Sequence, residues 1–211
     1  MEKIVVTIAR QYGSGGKTIG KKLAARLGIR AYSNEILKLA SEDSGINEAL
    51  FSQVDEKLKN TPLFRIMRKE YKGELIPPES DDFLSNQNLF NYQAKVIRDL
   101  AEEGPCVIIG RCGDFVLKDF PNVIRTFIYA SPEYNLRQVI ERGEHPAKDA
   151  ERYMQKIDRR RSDYYHYYTG QEWTDARNYD LCLNSERLGD EGCVEAILAY
   201  ARIRFGEHVL D

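Results

Sequence analysis

Only four cysteines and three histidines occur among 211 residues, and none of the cysteines forms a C-x-x-C pair or lies at ligand spacing from a histidine. Neither a disulfide framework nor a zinc site is indicated. Cys106 and Cys182 lie in apolar, strand-like runs and are expected to be buried free thiols, as cysteine commonly is. His145, His166 and His208 are scattered and suggest no role. No run of about 18 apolar residues is present. The chain begins with a strand-like Ile4-Val5-Val6-Thr7-Ile8 and lacks the layout of a signal peptide, so a soluble, cytoplasmic protein without a membrane partner is expected. An excess of one charge is also missing. Lys and Arg number 31 against 33 Asp and Glu, a formal net charge of -2. Nothing global attracts nucleic acid or an anionic membrane, and any recognition of an anion must come from a local patch. No internal repeat or low-complexity segment is seen.

What is present alternates. Ile4 to Ile8 reads as a parallel strand buried on both faces. A glycine cluster follows, and then Ile19, Leu23, Ala24 and Leu27 repeat at helical spacing up to a capping Gly28. Ser33 is the expected N-cap of a helix through Ala40. A polar, irregular region with Pro62, Pro77 and Pro78 follows, extending to about residue 85, and reads as an insertion. A helix through Leu89, Phe90, Tyr92, Val96, Ile97 and Leu100 ends at Gly104, and Pro105 to Ile109 forms a second buried strand. Val123 to Tyr129 is a third, followed by a helix opened by Ser131-Pro132-Glu133. A charged helix from about Ala147 to Arg161, a tyrosine-rich loop, a strand over Tyr179 to Asn184 and a final helix complete the chain. The length suits one domain. The alternation predicts an α/β fold with an open parallel sheet, whose ligands bind at the carboxyl ends of the strands.

The first such end carries Gln11-Tyr12-Gly13-Ser14-Gly15-Gly16-Lys17-Thr18. Walker A reads G-x-x-x-x-G-K-[ST]; every defining position is met except the first, where Gln11 replaces glycine. Gly13, Ser14, Gly15 and Gly16 let consecutive amides converge on a phosphate at the positive end of the following helix. Lys17 would reach the outer phosphates of ATP, and the Thr18 hydroxyl would ligate Mg²⁺. A dinucleotide fingerprint fits less well, because the third glycine spacing is absent.

The local cationic patch lies further along. From Lys148 to Arg161 the chain carries six cationic residues (Lys148, Arg152, Lys156, Arg159, Arg160, Arg161) against three anionic ones. Arg152, Lys156 and Arg159 or Arg160 repeat at helical spacing, and Asp158 and Arg161 are close enough to meet. Guanidinium groups on a closing lid neutralise a phosphoryl group in flight and exclude water. Arg111, following Gly110 at the end of a buried strand, is expected to bind a phosphate or carboxylate, and Arg10 holds a similar place on the first strand. The cluster of Tyr164, Tyr165, Tyr167, Tyr168 and Trp173 is expected to pack a loop onto the body or form a homodimer contact rather than to stack on a base.

Together, Ile8 to Lys17, Leu89-Phe90 with Gln93 before Val96-Ile97, Val107 to Leu117, Asp158-x-x-Arg161 and Tyr179-Asp180-Leu181 resemble the cytidylate kinase-like family, relatives of the P-loop nucleoside monophosphate kinases. The resemblance implies a five-stranded parallel sheet with helices on both faces, a helical monophosphate-binding insertion near 45–88 and an arginine-rich lid near 145–172. It also implies that Gly110-Arg111, Asp158 and Arg161 meet the acceptor nucleotide. Lys17, Arg160, Arg161 and Asp158 would then serve catalysis. Three features depart from cytidylate kinases: Ile109 and Cys112 replace the carboxylates of an Asp-Gly-Arg-Asp stretch, Met154 stands where a further lid arginine is found, and residues 45–85 match no cytidine-reading insertion. The expected activity is ATP- and Mg²⁺-dependent phosphoryl transfer to a small phosphorylated acceptor, most simply a nucleoside monophosphate. The alternatives are a kinase of another small metabolite, as in shikimate or dephospho-coenzyme A kinases, and a catalytically weak nucleotide-binding module.

Overall fold

The computed structural model describes residues 4–57, 73–143 and 146–210. Pro62, His145 and the middle of the expected insertion lie outside them. The elements run β1 (Val5–Arg10), α1 (Gly16–Leu27), β2 (Arg30–Tyr32), α2 (Glu35–Ser44), α3 (Glu48–Lys57), α4 (Asn86–Glu103), β3 (Cys106–Ile109), α5 (Gly113–Val116), β4 (Val123–Tyr129), α6 (Pro132–Glu141), α7 (Ala147–Thr169), β5 (Leu181–Asn184) and α8 (Ser185–Phe205). The five strands form one sheet in the order β2-β3-β1-β4-β5, and every neighbouring pair is parallel. β1 is therefore central. Its Val5 pairs with Cys106 on one side and Val123 on the other, which sets the ends of β1, β3 and β4 side by side.

The apolar strands divide their side chains between two cores. Val5, Ala9, Cys106, Ile108, Val123 and Phe127 pack against α2, α3, α4 and α7. Val6, Ile8, Val107, Ile109, Ile124 and Ile128 pack against α1 and α8. Helices on both faces explain why the central strands are apolar throughout rather than alternating.

Several local expectations are corrected. Ser33 does not cap α2: Asn34 occupies that position in a helical conformation, and the Glu35 carboxylate reaches back to accept the Ser33 N–H at 2.9 Å. Part of the expected irregular insertion is the helix α3. The supposed tyrosine loop is the last turns of α7, which ends at Gly170 (φ 68°) instead of at Arg161. Tyr164, Tyr165 and Tyr168 share one buried face, and the Tyr168 ring stacks on Phe90 at 4.0 Å between centroids. That burial outweighs the modest helix propensity of tyrosine. Cys106, Cys112 and Cys193 are buried free thiols, whereas Cys182 is exposed because β5 is an edge strand whose outward residues are uncovered. Ser131 caps α6 as expected, accepting the Tyr134 N–H with Pro132 in the first turn. Among the described residues no helix is long and apolar enough to cross a membrane.

Candidate active site

The glycine loop leaves the end of the central strand β1 and enters α1 through Gly15, which sits in the left-handed region (φ 79°). Gly13 is left-handed too (φ 89°), and a Cβ there would stand 2.5 Å from the Asn135 carbonyl oxygen. A Cβ on Gly16 would collide with the Arg10 side chain. The loop is thus a bare main-chain cradle at the N-terminus of a 12-residue helix, with Lys17 and Thr18 exposed in its first turn. Such a cradle fits a polyphosphate. Among the described residues no group of three or more His, Cys, Asp and Glu side chains converges as an enclosed metal cage would. Mg²⁺ held by one hydroxyl, phosphate oxygens and water requires none.

Gln11 takes over from the missing first glycine without disturbing the loop. Its N–H continues the β1–β4 ladder to the Ile128 carbonyl at 3.1 Å. Its Oε1 accepts from the Ala130 N–H at 3.1 Å and from Asn135 Nδ2 at 3.3 Å, which fastens the loop to the start of α6. The Ser14 hydroxyl donates to the Gln11 carbonyl at 2.9 Å.

Beside the loop, the end of β3 bends through three consecutive left-handed residues, Gly110 (φ 81°), Arg111 (φ 60°) and Cys112 (φ 54°). Two of these are not glycine, and such backbone costs on the order of 1 kcal/mol per residue. The bend brings Arg111 into a cavity of about 270 Å³ with Arg10, Arg160 and Arg161. Arg111 Nη1 also lies 3.5 Å from Oε1 of the fully buried Gln93. Gly110 suits its place because its left-handed backbone would strain any side chain, and a Cβ would also displace the Arg10 guanidinium. Trp173 and Tyr164 supply apolar wall.

α7 crosses over this cavity and clasps the loop. Asp158 Oδ1 accepts the Tyr12 N–H at 2.8 Å. Arg161 Nη1 donates to Asp158 Oδ1 at 3.1 Å and to the Arg10 carbonyl at 3.0 Å. Burial pushes the Asp158 carboxyl up and the Arg161 guanidinium down, and each charge opposes the shift of the other. The expected Asp158–Arg161 contact is therefore present, and Arg160 and Arg161 line the cavity. The expected cationic stripe is placed differently, because Arg152, Lys156 and Arg159 face solvent. Positions 157, 160, 161 and 164 fall on the inward side of the helix, as a 3.6-residue repeat requires.

Asp114 was not among the sequence candidates, although an acid between Gly113 and the apolar Phe115-Val116-Leu117 was the available signal. It is buried on the cavity lining, and its Oδ2 accepts the Tyr165 hydroxyl at 2.6 Å. Burial pushes its pKa up to about 6 against the opposing effects of the Tyr165 hydroxyl, the amides of Asp114 and Phe115, and the Arg125 charge. Tyr179 and Cys112 also face this cluster. Arg125 itself is held bidentately by Asp180, whose role is structural. Arg142 at the end of α6 and Asp190 of α8 flank Gly15 from outside, two more neighbours that sequence reading missed.

The raised Asp114 pKa fixes the sign of a stability effect. Between about pH 4 and 6 the folded protein keeps a proton on Asp114 that the unfolded chain has lost. The stabilisation is full below about pH 4 and is lost as pH rises through 6, by roughly 2–3 kcal/mol. Asp114→Asn keeps an acceptor for Tyr165 and should lose this slope. Urea melts at pH 4, 5, 6 and 7 test it: the wild-type curve minus the variant curve should fall across that window, and parallel curves refute the assignment.

Comparison with known proteins agrees with this fold. The profile of the cytidylate kinase-like family matches residues 5–187. A cytidylate kinase of Methanopyrus kandleri is 24% identical over 197 residues, covering 89% of this chain and 88% of that protein. Among solved structures, an uncharacterized protein from Eubacterium ventriosum superposes with a TM-score of 0.68 at 28% identity, over 94% of this chain and 98% of that one. A shikimate kinase from Acinetobacter baumannii in complex with shikimate reaches a TM-score of 0.51 at 12% identity, over 97% and 96% of the two chains, which is a likeness of fold.

Proposed function

This chain belongs to the cytidylate kinase-like family, and from that premise we propose that it transfers the γ-phosphoryl group of ATP to a phosphate oxygen of a nucleoside monophosphate. One observation carries the reading. A bare phosphate cradle at the end of β1 opens beside a cavity holding four arginines, at the carboxyl ends of adjacent parallel strands. Two anions brought together there find positive charge on both sides.

In this reading the acceptor phosphate oxygen forms a bond to the γ-phosphorus as the bond to the bridging oxygen of ADP breaks, and ADP leaves. The amides of Gly13 to Gly16 and the α1 dipole hold the donor, and the Lys17 ammonium follows the charge onto the outer phosphates. The Thr18 hydroxyl would hold Mg²⁺, which when bound neutralises and aligns the polyphosphate. Arg10, Arg111, Arg160 and Arg161 seat the acceptor phosphate. No general base is needed, because that phosphate is already ionised near neutral pH.

The test is ADP release from ATP and Mg²⁺ over a panel of the four common ribonucleoside monophosphates, shikimate and other small hydroxy acids, with Lys17→Ala as the blank. Release stimulated by one monophosphate above all else is the expected result. Stimulation only by an unphosphorylated hydroxy acid would move the protein to small-metabolite kinases. Binding of ATP with no acceptor-dependent release would overturn the kinase reading in favour of a binding module.

A further inference from the structure

The four arginines of the cavity explain how an anion is held, and they say nothing about what else the acceptor carries. Asp114 does. Among the described residues it is the one carboxylate on the cavity lining, Asp158 lying outside that lining in its clasp with Arg161. A carboxylate has about four lone-pair sites. Tyr165 takes one, and the amides of Asp114 and Phe115 take others at the start of α5. That leaves room for one donor from the cavity side.

We propose that Asp114 selects the acceptor, taking a hydrogen bond from an N–H or O–H group at the end of the molecule remote from its phosphate. The inference rests on the reading of the arginine cavity as the acceptor site. Tyr165 is the positioning residue: its hydroxyl fixes one oxygen of the carboxylate and so orients the other. Gln171 Oε1 lies 3.2 Å from the same hydroxyl oxygen, a second acceptor for its single proton, and the 2.6 Å contact to Asp114 is the shorter of the two. A fold built only for stability gains little from an acid here. Aspartate is among the residues least often fully buried, and leucine or asparagine would fill the space without a desolvated charge. A site that gives up stability in this way is a mark of function. An apolar floor would accept any group of the right size, whereas an acceptor oxygen rejects molecules that bring no donor to it.

The chemistry named here has two sources in a nucleotide, a base amino group and a sugar hydroxyl. Trp173, the chain's single tryptophan, lines the same cavity, so its fluorescence reports occupancy without any phosphoryl transfer. The probes are cytidine 5′-monophosphate, its 2′,3′-dideoxy analogue, uridine 5′-monophosphate and inorganic phosphate, titrated into the wild type, Asp114→Asn and Tyr165→Phe. Asp114→Asn should weaken cytidine monophosphate by roughly ten- to a hundredfold, the weight of a hydrogen bond to a charged group. Inorganic phosphate, which the arginines hold alone, should bind both proteins equally. Tyr165→Phe should weaken the nucleotide less and shift its preference over phosphate in the same direction, which a general loosening of the fold would not do. If the dideoxy analogue is as weak in the wild type as the parent nucleotide is in the Asn variant, the donor is a sugar hydroxyl. If the uridine analogue is, the donor is the base amino group. Equal nucleotide affinity in wild type and Asp114→Asn overturns the proposal, as does a wild type in which no nucleotide binds more tightly than phosphate. These are binding results, distinct from the ADP-release assay on which the kinase reading stands or falls.

Discussion

Lys17→Ala is expected to lower kcat/KM for ADP release by roughly a thousandfold or more, which is about 4 kcal/mol of transition-state stabilisation. Lys17 is exposed in the first turn of α1, where its ammonium meets no competing role in the core. The loop backbone is held by its glycines and by Gln11, so the cradle should survive the loss of the side chain. Thermal stability should stay within the small range usual for surface substitutions, about 0.5 kcal/mol. Single-turnover measurements with saturating ATP separate loss of binding from loss of chemistry. Undiminished release in the alanine protein would show that the phosphate lies elsewhere.

The second large effect concerns the clasp. Arg161→Ala removes the partner of Asp158 and one donor to the Arg10 carbonyl, and it leaves a desolvated carboxylate against the loop. Cutting a fully buried ion pair costs about 3–5 kcal/mol. These side chains retain 25% and 24% exposure, so a loss of about 2–3 kcal/mol is the expected result after discounting for the partial access of water. Asp158→Asn should cost less, because the amide oxygen still accepts the Tyr12 N–H. The double variant should be more stable than the sum of the singles predicts, which urea melts in a double-mutant cycle would read directly. An Arg161→Ala protein within 0.5 kcal/mol of the wild type would mean that the clasp contributes nothing to holding α7 down.

The parts of this site that could be read from the chain are those set by near neighbours. The glycines of the loop follow a β-branched run and precede a helical repeat. Gly110-Arg111 sets a charge where an apolar strand stops. Asp158 and Arg161 are one turn apart, so their meeting needs only a helix. What stayed hidden depends on residues far along the chain. Gln11 looked like a defect until Ala130 and Asn135 supplied its partners. The tyrosines after Arg161 looked like a loop because their helix is justified by Phe90, from another element. Asp114 drew no role from the sequence, because the partner that holds it, Tyr165, lies 51 residues on. The arginine stripe misled for a related reason: spacing fixes which residues share a face and leaves open which way that face turns.

Arg161 and Tyr165 are four residues apart on one unbroken helix, so their backbones are separated by about 6 Å along a stiff axis. In the proposed reading one would meet the acceptor phosphate and the other would steady Asp114. α7 would in that sense act as a ruler: a molecule too short to span both marks would leave one of them idle, and one too long would be turned away at the floor. Discrimination by length would then be built into the pitch of the helix itself, and inserting or deleting a single residue between positions 161 and 165 would rotate one mark out of alignment by about 100°.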